Sequence, residues 1–326
     1  MSTAVIYAEF AAREAAGESP AYEALAVAVS HDRRVVGLLD ALPPAKRQPN
    51  LLFAVLRFLG GPVTEPAAAC DFVVANWPRI EPEIRARATQ TNEVARCALL
   101  LPLLAALPQP LALLEAGPSA GLNLYPDRYA YRYGEHVLGD GEPLLDCALT
   151  GAPPPARLPE IVWRAGLDRN PLDVTDPADL AWLDALIWPE RDERRARLRA
   201  AARIAAADPP LLVRGDLADD LPALAARAPR DATLVIFHSM VLYQVPAADR
   251  ERFIAAVRGL PAHWIALENP TVLSYPGPLP NPPAETLHHV LALDGEPVAW
   301  ARPHGQALTW FGRPMSGSPV PGRPRS

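Results

Sequence analysis

The sequence predicts an α/β fold: a doubly wound, mostly parallel sheet of seven strands with an antiparallel terminal hairpin, preceded by a helical N-terminal region. Three observations predict it. Five short apolar, β-rich runs follow one another from residue 111 onward, at 111–115, 161–168, 211–216, 233–238 and 263–268. Segments with helical periodicity separate the last four, and no alternating strand pattern occurs before 111. Strands divided by helices need crossover connections, which run right-handed and build a parallel sheet.

Taken in order, residues 1 to about 108 form a helical cap region, with apolar positions recurring at helical spacing in 22–29, 51–59 and 94–104 and Pro and Gly between them. An α/β domain is expected over 109–311, with an inserted hairpin-like segment at about 125–160. Its crossover helices fall at 178–187, 190–207, 220–228 and 247–260. After the fifth strand comes a proline-rich loop, 275–283, then two runs at 287–293 and 298–301 (extending toward Trp310) separated by Asp294-Gly295. Asp-Gly between apolar runs is a strong hairpin signal. The tail, 312–326, has the composition of a disordered segment.

Composition narrows the function classes. Half of the 326 residues are hydrophobic and 21% are charged, as in an ordinary globular chain, and the net charge of −6 gives no broad electrostatic grip on nucleic acid. Every basic residue except Lys46 is arginine and there are 39 prolines, a compositional bias that weakens single prolines as punctuation. Cys70, Cys97 and Cys147 have neither metal-ligand spacing nor neighbouring histidines, so no metal site or disulfide framework is expected and a cytoplasmic chain is the default. Glu9, Arg13 and Glu14 interrupt the N-terminus where a signal peptide needs an apolar run. The apolar stretch 98–114 is broken by Pro102, Pro108, Gln109 and Pro110, which makes it a helix followed by a strand, not a membrane span.

The richest stretch is LALLEAGPSAGLNL, residues 111–124. An apolar strand ends in Glu115, and small residues then fall at every second position: Gly117, Ser119 and Gly121. That order suits a buried strand, a tight turn and the start of a helix, with a backbone that can approach a ligand closely. Polar residues end the other strands too: Asp168, Asp216, His238 and Glu268. In open α/β sheets ligands bind beyond the C-terminal strand ends, so these five side chains are placed along one crevice.

These residues carry a resemblance. The segment Glu115-x-Gly117-x-Ser119-x-Gly121 resembles the first motif of class I S-adenosylmethionine-dependent methyltransferases, with Ser in place of the middle Gly. AGLDRNP (165–171) resembles their second motif, RGDL (214–217) the third-strand motif, and ATLVIFHSMVLYQVP (232–246) the fourth strand and the helix after it. The chain as a whole, including TQTNEVARC (89–97) and PHG (303–305), resembles a bacterial family known as domain of unknown function 2332.

The methyltransferase resemblance implies S-adenosylmethionine as cofactor. Gly117, Ser119 and Gly121 would pack on its methionine portion, with Glu115 at the strand end. Asp168 would take the ribose hydroxyls and Asp216 the adenine amino group. Asn92 and Arg96, with Gln90, Thr91 and Glu93, lie on the segment leading to the first strand, where Arg96 could pair with the cofactor carboxylate or the cluster could form a solvated helix face. His238 is the first candidate for a base and Glu268 the second. The chain departs from the family pattern in two places. Glu115 and Asp168 lie 53 positions apart, with an insert rich in Tyr125, Tyr129, Tyr131 and Tyr133 between them, and Pro118 stiffens the turn. The insert could cover the ligand or pack on the sheet.

Two alternatives remain open. Gly117-Pro-Ser119-Ala-Gly121 is also G-x-S-x-G, the nucleophile elbow of α/β-hydrolases, with Asp216 and His304 or His238 downstream. Against it, the region before the elbow is helical and lacks an oxyanion loop. The fold could also serve as a non-catalytic S-adenosylmethionine-binding or regulatory module. A dinucleotide enzyme wants G-x-G-x-x-G, which this turn does not match. The expected partner is a small-molecule acceptor, not nucleic acid or membrane, and oligomeric state is not legible.

Overall fold

In the computed structural model, residues 2–90, 92–283 and 287–312 are described. The chain divides into two compact units, 1–91 with 175–198, and 92–174 with 199–326.

The first unit is helical. It contains α1 (Thr3–Phe10), which runs on into a π-helical turn, α2 (Pro20–His31), α3 (Arg33–Asp40), α4 (Pro49–Phe58) and α5 (Pro66–Ala86). Ser19 and Asp32 cap α2 and α3 by accepting from backbone N–H groups of the first turn. α5 kinks at Asn76, two residues before Pro78, which cannot donate to the preceding turn. An aromatic cluster of Tyr7, Tyr22, Phe53 and Trp188 fills the core, with ring centroids 4.9–5.9 Å apart.

The second unit carries the sheet. A single turn of 3-10 helix, Val94–Arg96, leads into α6 (Cys97–Ala106), and β1 (Leu111–Ala116) follows, buried along its whole length. The insert supplies β2 (Ala130–Tyr133), β3 (His136–Leu138), β4 (Leu144–Asp146) and β5 (Ala148–Thr150). Then come β6 (Ile161–Asp168), α7 (Pro177–Ala185), which is grouped with the first unit, α8 (Asp192–Ala207) and β7 (Leu211–Arg214). The rest is α9 (Leu221–Ala225), β8 (Thr233–Ser239), α10 (Ala247–Arg258), β9 (His263–Glu268), β10 (His289–Leu293), β11 (Glu296–Ala301) and β12 (Ala307–Trp310).

The main sheet has the order β5-β12-β11-β10-β9-β8-β1-β6-β7. β7, β6, β1, β8 and β9 are parallel to one another, whereas β10, β11 and β12 continue from β9 antiparallel. The five parallel strands lie in the spatial order third, second, first, fourth, fifth. Chain direction across the sheet therefore reverses between β1 and β8, the switch point where such sheets open a crevice.

Among the described residues the sheet has nine strands, not the expected seven. The run toward Trp310 is cut by a turn in which Gly305 adopts φ +88° and Arg302 N–H donates to the Ala307 carbonyl, so a separate β12 forms. β5, from the insert, then pairs parallel with β12 and adds the ninth strand. The insert is more than a hairpin: β2 and β3 form one, β4 joins β2 in a second sheet of order β3-β2-β4, and β5 leaves for the main sheet. Its tyrosines pack, with the Tyr129, Tyr131 and Tyr133 hydroxyls donating to the carbonyls of Leu122, Pro126 and Ala98. At Asp294-Gly295 both residues have positive φ, +54° and +88°, as a two-residue hairpin requires. Of the expected disordered tail, 313–326 lies outside the described residues, as do Thr91 and 284–286. Among the described residues no helix is long and apolar enough to cross a membrane.

Candidate functional site at the switch point

Glu115 is the penultimate residue of β1, and its side chain is buried because β6 and β8 flank the strand on either side. Glu115 Oε1 accepts from Asn123 Nδ2 at 3.4 Å, while Oε2 has no partner among the described residues. Burial pushes this carboxyl up to about 8 and the Asp168 carboxylate adds to the rise, against the opposing pull of Asn123 and Arg96.

The turn after β1 is locked to the two neighbouring strands. Gly117 N–H donates to the Leu167 carbonyl of β6 at 2.9 Å. Gly117 has φ +73°, and a Cβ there would lie 2.7 Å from Val241, which follows β8, so glycine is needed for both conformation and space. Ser119 is left-handed at φ +53° without being glycine. Its N–H donates to Asp168 Oδ2 at 2.8 Å, and its Oγ is buried without a partner among the described residues. Pro118 lies over Gly166, where a Cβ would meet the proline ring at 2.5 Å. Asn92 Nδ2 donates to the Pro118 carbonyl at 2.9 Å, while its buried Oδ1 has no partner among the described residues. Gly121, at φ +71°, opens only a three-residue 3-10 turn, Leu122–Leu124, and not the expected helix. Pro126 disfavours helical backbone in the residue before it, Tyr125, which ends the turn.

Asp168, at the end of β6, accepts from Ser119 N–H on one oxygen and from Asn170 N–H on the other, at 2.8 and 2.7 Å. Asp216, beyond β7, accepts from Arg169 at 2.9 Å and from Ala218 N–H at 2.9 Å; the bond from Arg169 is the main reason its carboxyl is held below the usual range. Arg96 is buried, with Nε donating to the Pro303 carbonyl and Nη1 to the Ser239 carbonyl at 3.1 and 3.0 Å. Its guanidinium thus ties the end of β8 to the turn before β12.

His238 and Glu268 come together as a fully buried pair, with Nδ1 and Oε1 2.8 Å apart. The same Oε1 accepts from Val241 N–H and Leu242 N–H at 2.8 and 3.0 Å. Burial pushes the Glu268 carboxyl up, but His238 and these two N–H groups outweigh it, so it stays below the ordinary value. His238 Nε2 and Glu268 Oε2 have no partner among the described residues. A carboxylate on Nδ1 selects the tautomer that carries its proton there and leaves Nε2 as the basic nitrogen.

The predicted residues therefore form four groups: Glu115, Gly117, Ser119, Gly121, Asp168 and Asn92 around one turn; His238 with Glu268; Asp216 with Arg169; and Arg96 on the carbonyls of Ser239 and Pro303. Sequence reasoning missed Arg169, Asn123 and Ser239 as partners. Arg169 directly follows Asp168, and that adjacency was the available signal. His304 is a turn residue whose N–H donates to Gln306. His289 is buried on β10, and burial brings its imidazole down to about 4.

By fold this is an α/β protein whose switch point holds several buried polar atoms without partners among the described residues. It belongs to the family described as an uncharacterized protein conserved in bacteria (DUF2332), whose model matches residues 60–310. No curated protein and no solved structure matches the chain.

Proposed function

We propose that the chain binds S-adenosylmethionine at the C-terminal ends of β1 and β6 and transfers its methyl group to a small-molecule acceptor. One observation carries the reading: Glu115 Oε2, Ser119 Oγ and Asn92 Oδ1 are buried without partners among the described residues, around a single glycine turn. Unsatisfied buried polar atoms are costly, so such a cluster marks the place of a missing partner. Asn92 Oδ1 only accepts, and Glu115 becomes acceptor-only once it gives up its proton, which suits a ligand bearing N–H or O–H donors and positive charge.

The other residues fit the same ligand unequally. Each Asp168 oxygen takes one backbone N–H and keeps acceptor capacity for a ribose hydroxyl. Asp216 already holds Arg169 and serves the adenine only through its remaining lone pairs. Arg96, committed to two backbone carbonyls, is a strut in this reading and not the partner of the cofactor carboxylate.

The cofactor supplies a methyl group on a positively charged sulfur, already electrophilic. The protein's part is alignment and exclusion of water. Where the acceptor atom carries a proton, His238 Nε2 removes it, and Glu268 stabilises the imidazolium that results.

Isothermal titration with S-adenosylmethionine and S-adenosylhomocysteine tests the reading. Both are expected to bind, with affinity reduced at least tenfold in Asp168→Ala and in Glu115→Gln. Absence of binding to either compound overturns it. Ester cleavage lost in Ser119→Ala would install the hydrolase reading in its place, and binding without a methylated product across an acceptor panel would leave a non-catalytic module.

A further inference from the structure

A separate cavity of about 290 Å³ lies on the α10 face of the sheet. Its floor follows from the register. His238, Ala266 and Ala292 are paired positions on β8, β9 and β10, and paired residues project to the same face. The two alanines leave space beneath α10 where larger side chains would have filled it. Trp264, Val272 and Leu273 add apolar wall, and Arg250, Arg258 and Tyr275 add polar groups.

The polar groups are mismatched in one direction. Arg250 donates from Nη1 and Nη2 to the carbonyls of Val272 and Val245, which leaves its buried Nε–H without a partner among the described residues. Trp264 Nε1 and Tyr275 Oη are likewise buried and unpartnered. The first two are donors only and the third can donate, so what satisfies them must accept. Two guanidiniums face the cavity against a single acid, the exposed Glu251. Arg258 lies over the Trp264 ring at 5.8 Å, beside the Asp294-Gly295 turn. The volume equals about ten water shares of ~30 Å³, enough for one ring and a small substituent.

We propose that this cavity binds a small organic monoanion, a carboxylate carried on an apolar body the size of a single ring. The carboxylate accepts from Arg250, Trp264 and Tyr275, and the body lies over Ala266 and Ala292. The site shares no residue with the glycine turn after β1 and does not depend on the cofactor reading. It does adjoin the buried pair: the Trp264 ring is 5.9 Å from that of His238.

Titration calorimetry of the full chain with benzoate, and with benzyl alcohol as its uncharged counterpart, tests the proposal. Saturable benzoate binding is expected, at least tenfold tighter than that of benzyl alcohol. Tyr275→Phe and Arg258→Gln, one removing a hydroxyl and the other an exposed charge, should each weaken benzoate about tenfold with the melting temperature unchanged. No saturable benzoate binding, equal affinity for the two compounds, or unaltered affinity in both variants overturns it and leaves a water-filled cavity.

Discussion

Glu268 gathers three hydrogen bonds on one oxygen, from His238 Nδ1 and the N–H groups of Val241 and Leu242, in a place without solvent. Such a group stabilises chiefly through what its loss would strand. Glu268→Ala leaves the imidazole and two backbone donors buried with nothing to receive them, and breaking a buried pair in this way costs about 3–5 kcal/mol. Glu268→Gln keeps an oxygen for the two N–H groups and loses only the charge, at about 1–3 kcal/mol. Urea unfolding of the two variants should rank them in that order. A loss below about 1 kcal/mol for Glu268→Ala would mean that the pair does not hold this end of the sheet together.

At the scale of elements, the turn after β1 and the loop after β8 interlock through Gly117 and Val241. Gly117→Ala places a Cβ 2.7 Å from the Val241 side chain and forces alanine to φ +73°. The left-handed backbone costs about 1–2 kcal/mol and the overlap about 1–3 kcal/mol. Adding Val241→Ala relieves the overlap but not the backbone, so the double variant should regain stability over Gly117→Ala alone, read as a rise in melting temperature. No regain would show that the contact is not what requires glycine. Two inner strands were legible because a strand buried on both faces is written as a near-continuous apolar run: 111–115 and 263–268 match β1 and β9 within a residue, while 161–168 matches β6 although Arg164 interrupts it and Val162 is exposed. β5 and β12 were not legible, because three- and four-residue strands stand out only once paired. The site divides in the same way. Strand-end acids could be read one at a time from their position, but the joining of His238 to Glu268, 30 residues on, depends on β8 and β9 being neighbours. Arg96 reaches partners 143 and 207 residues away, Ser239 and Pro303, which no local pattern encodes.

Over the whole molecule, two buried groups with opposed shifts set how stability varies with pH. Glu115 is raised from 4.5 to about 8, so between those values the folded state holds a proton that the unfolded chain has released, and stability falls as pH rises. His289 is lowered from 6.5 to about 4, so between those values the unfolded chain holds the extra proton, and stability rises with pH. From pH 4.5 to 6.5 the two slopes oppose each other and the profile is flat. Below 4.5 the depressed carboxyls, Glu268 and Asp216 among them, take up protons on unfolding and stability drops. Above 6.5 His289 is neutral in both states and Glu115 acts alone, at about 1.4 kcal/mol per pH unit, or about 2 kcal/mol by pH 8. The stability maximum is therefore expected on the acid side of neutrality. Denaturant titrations from pH 4 to 8 should show the decline above 6.5, and Glu115→Gln should abolish it while leaving the acid limb in place. His289→Phe should do the converse, removing the rise between 4 and 6.5 and exposing an uninterrupted fall from 4.5 to 8. A wild-type profile that climbs from pH 6.5 to 8 would refute the protonated, buried Glu115. It would also remove the reason to expect proton release when a positively charged ligand enters beside that carboxyl.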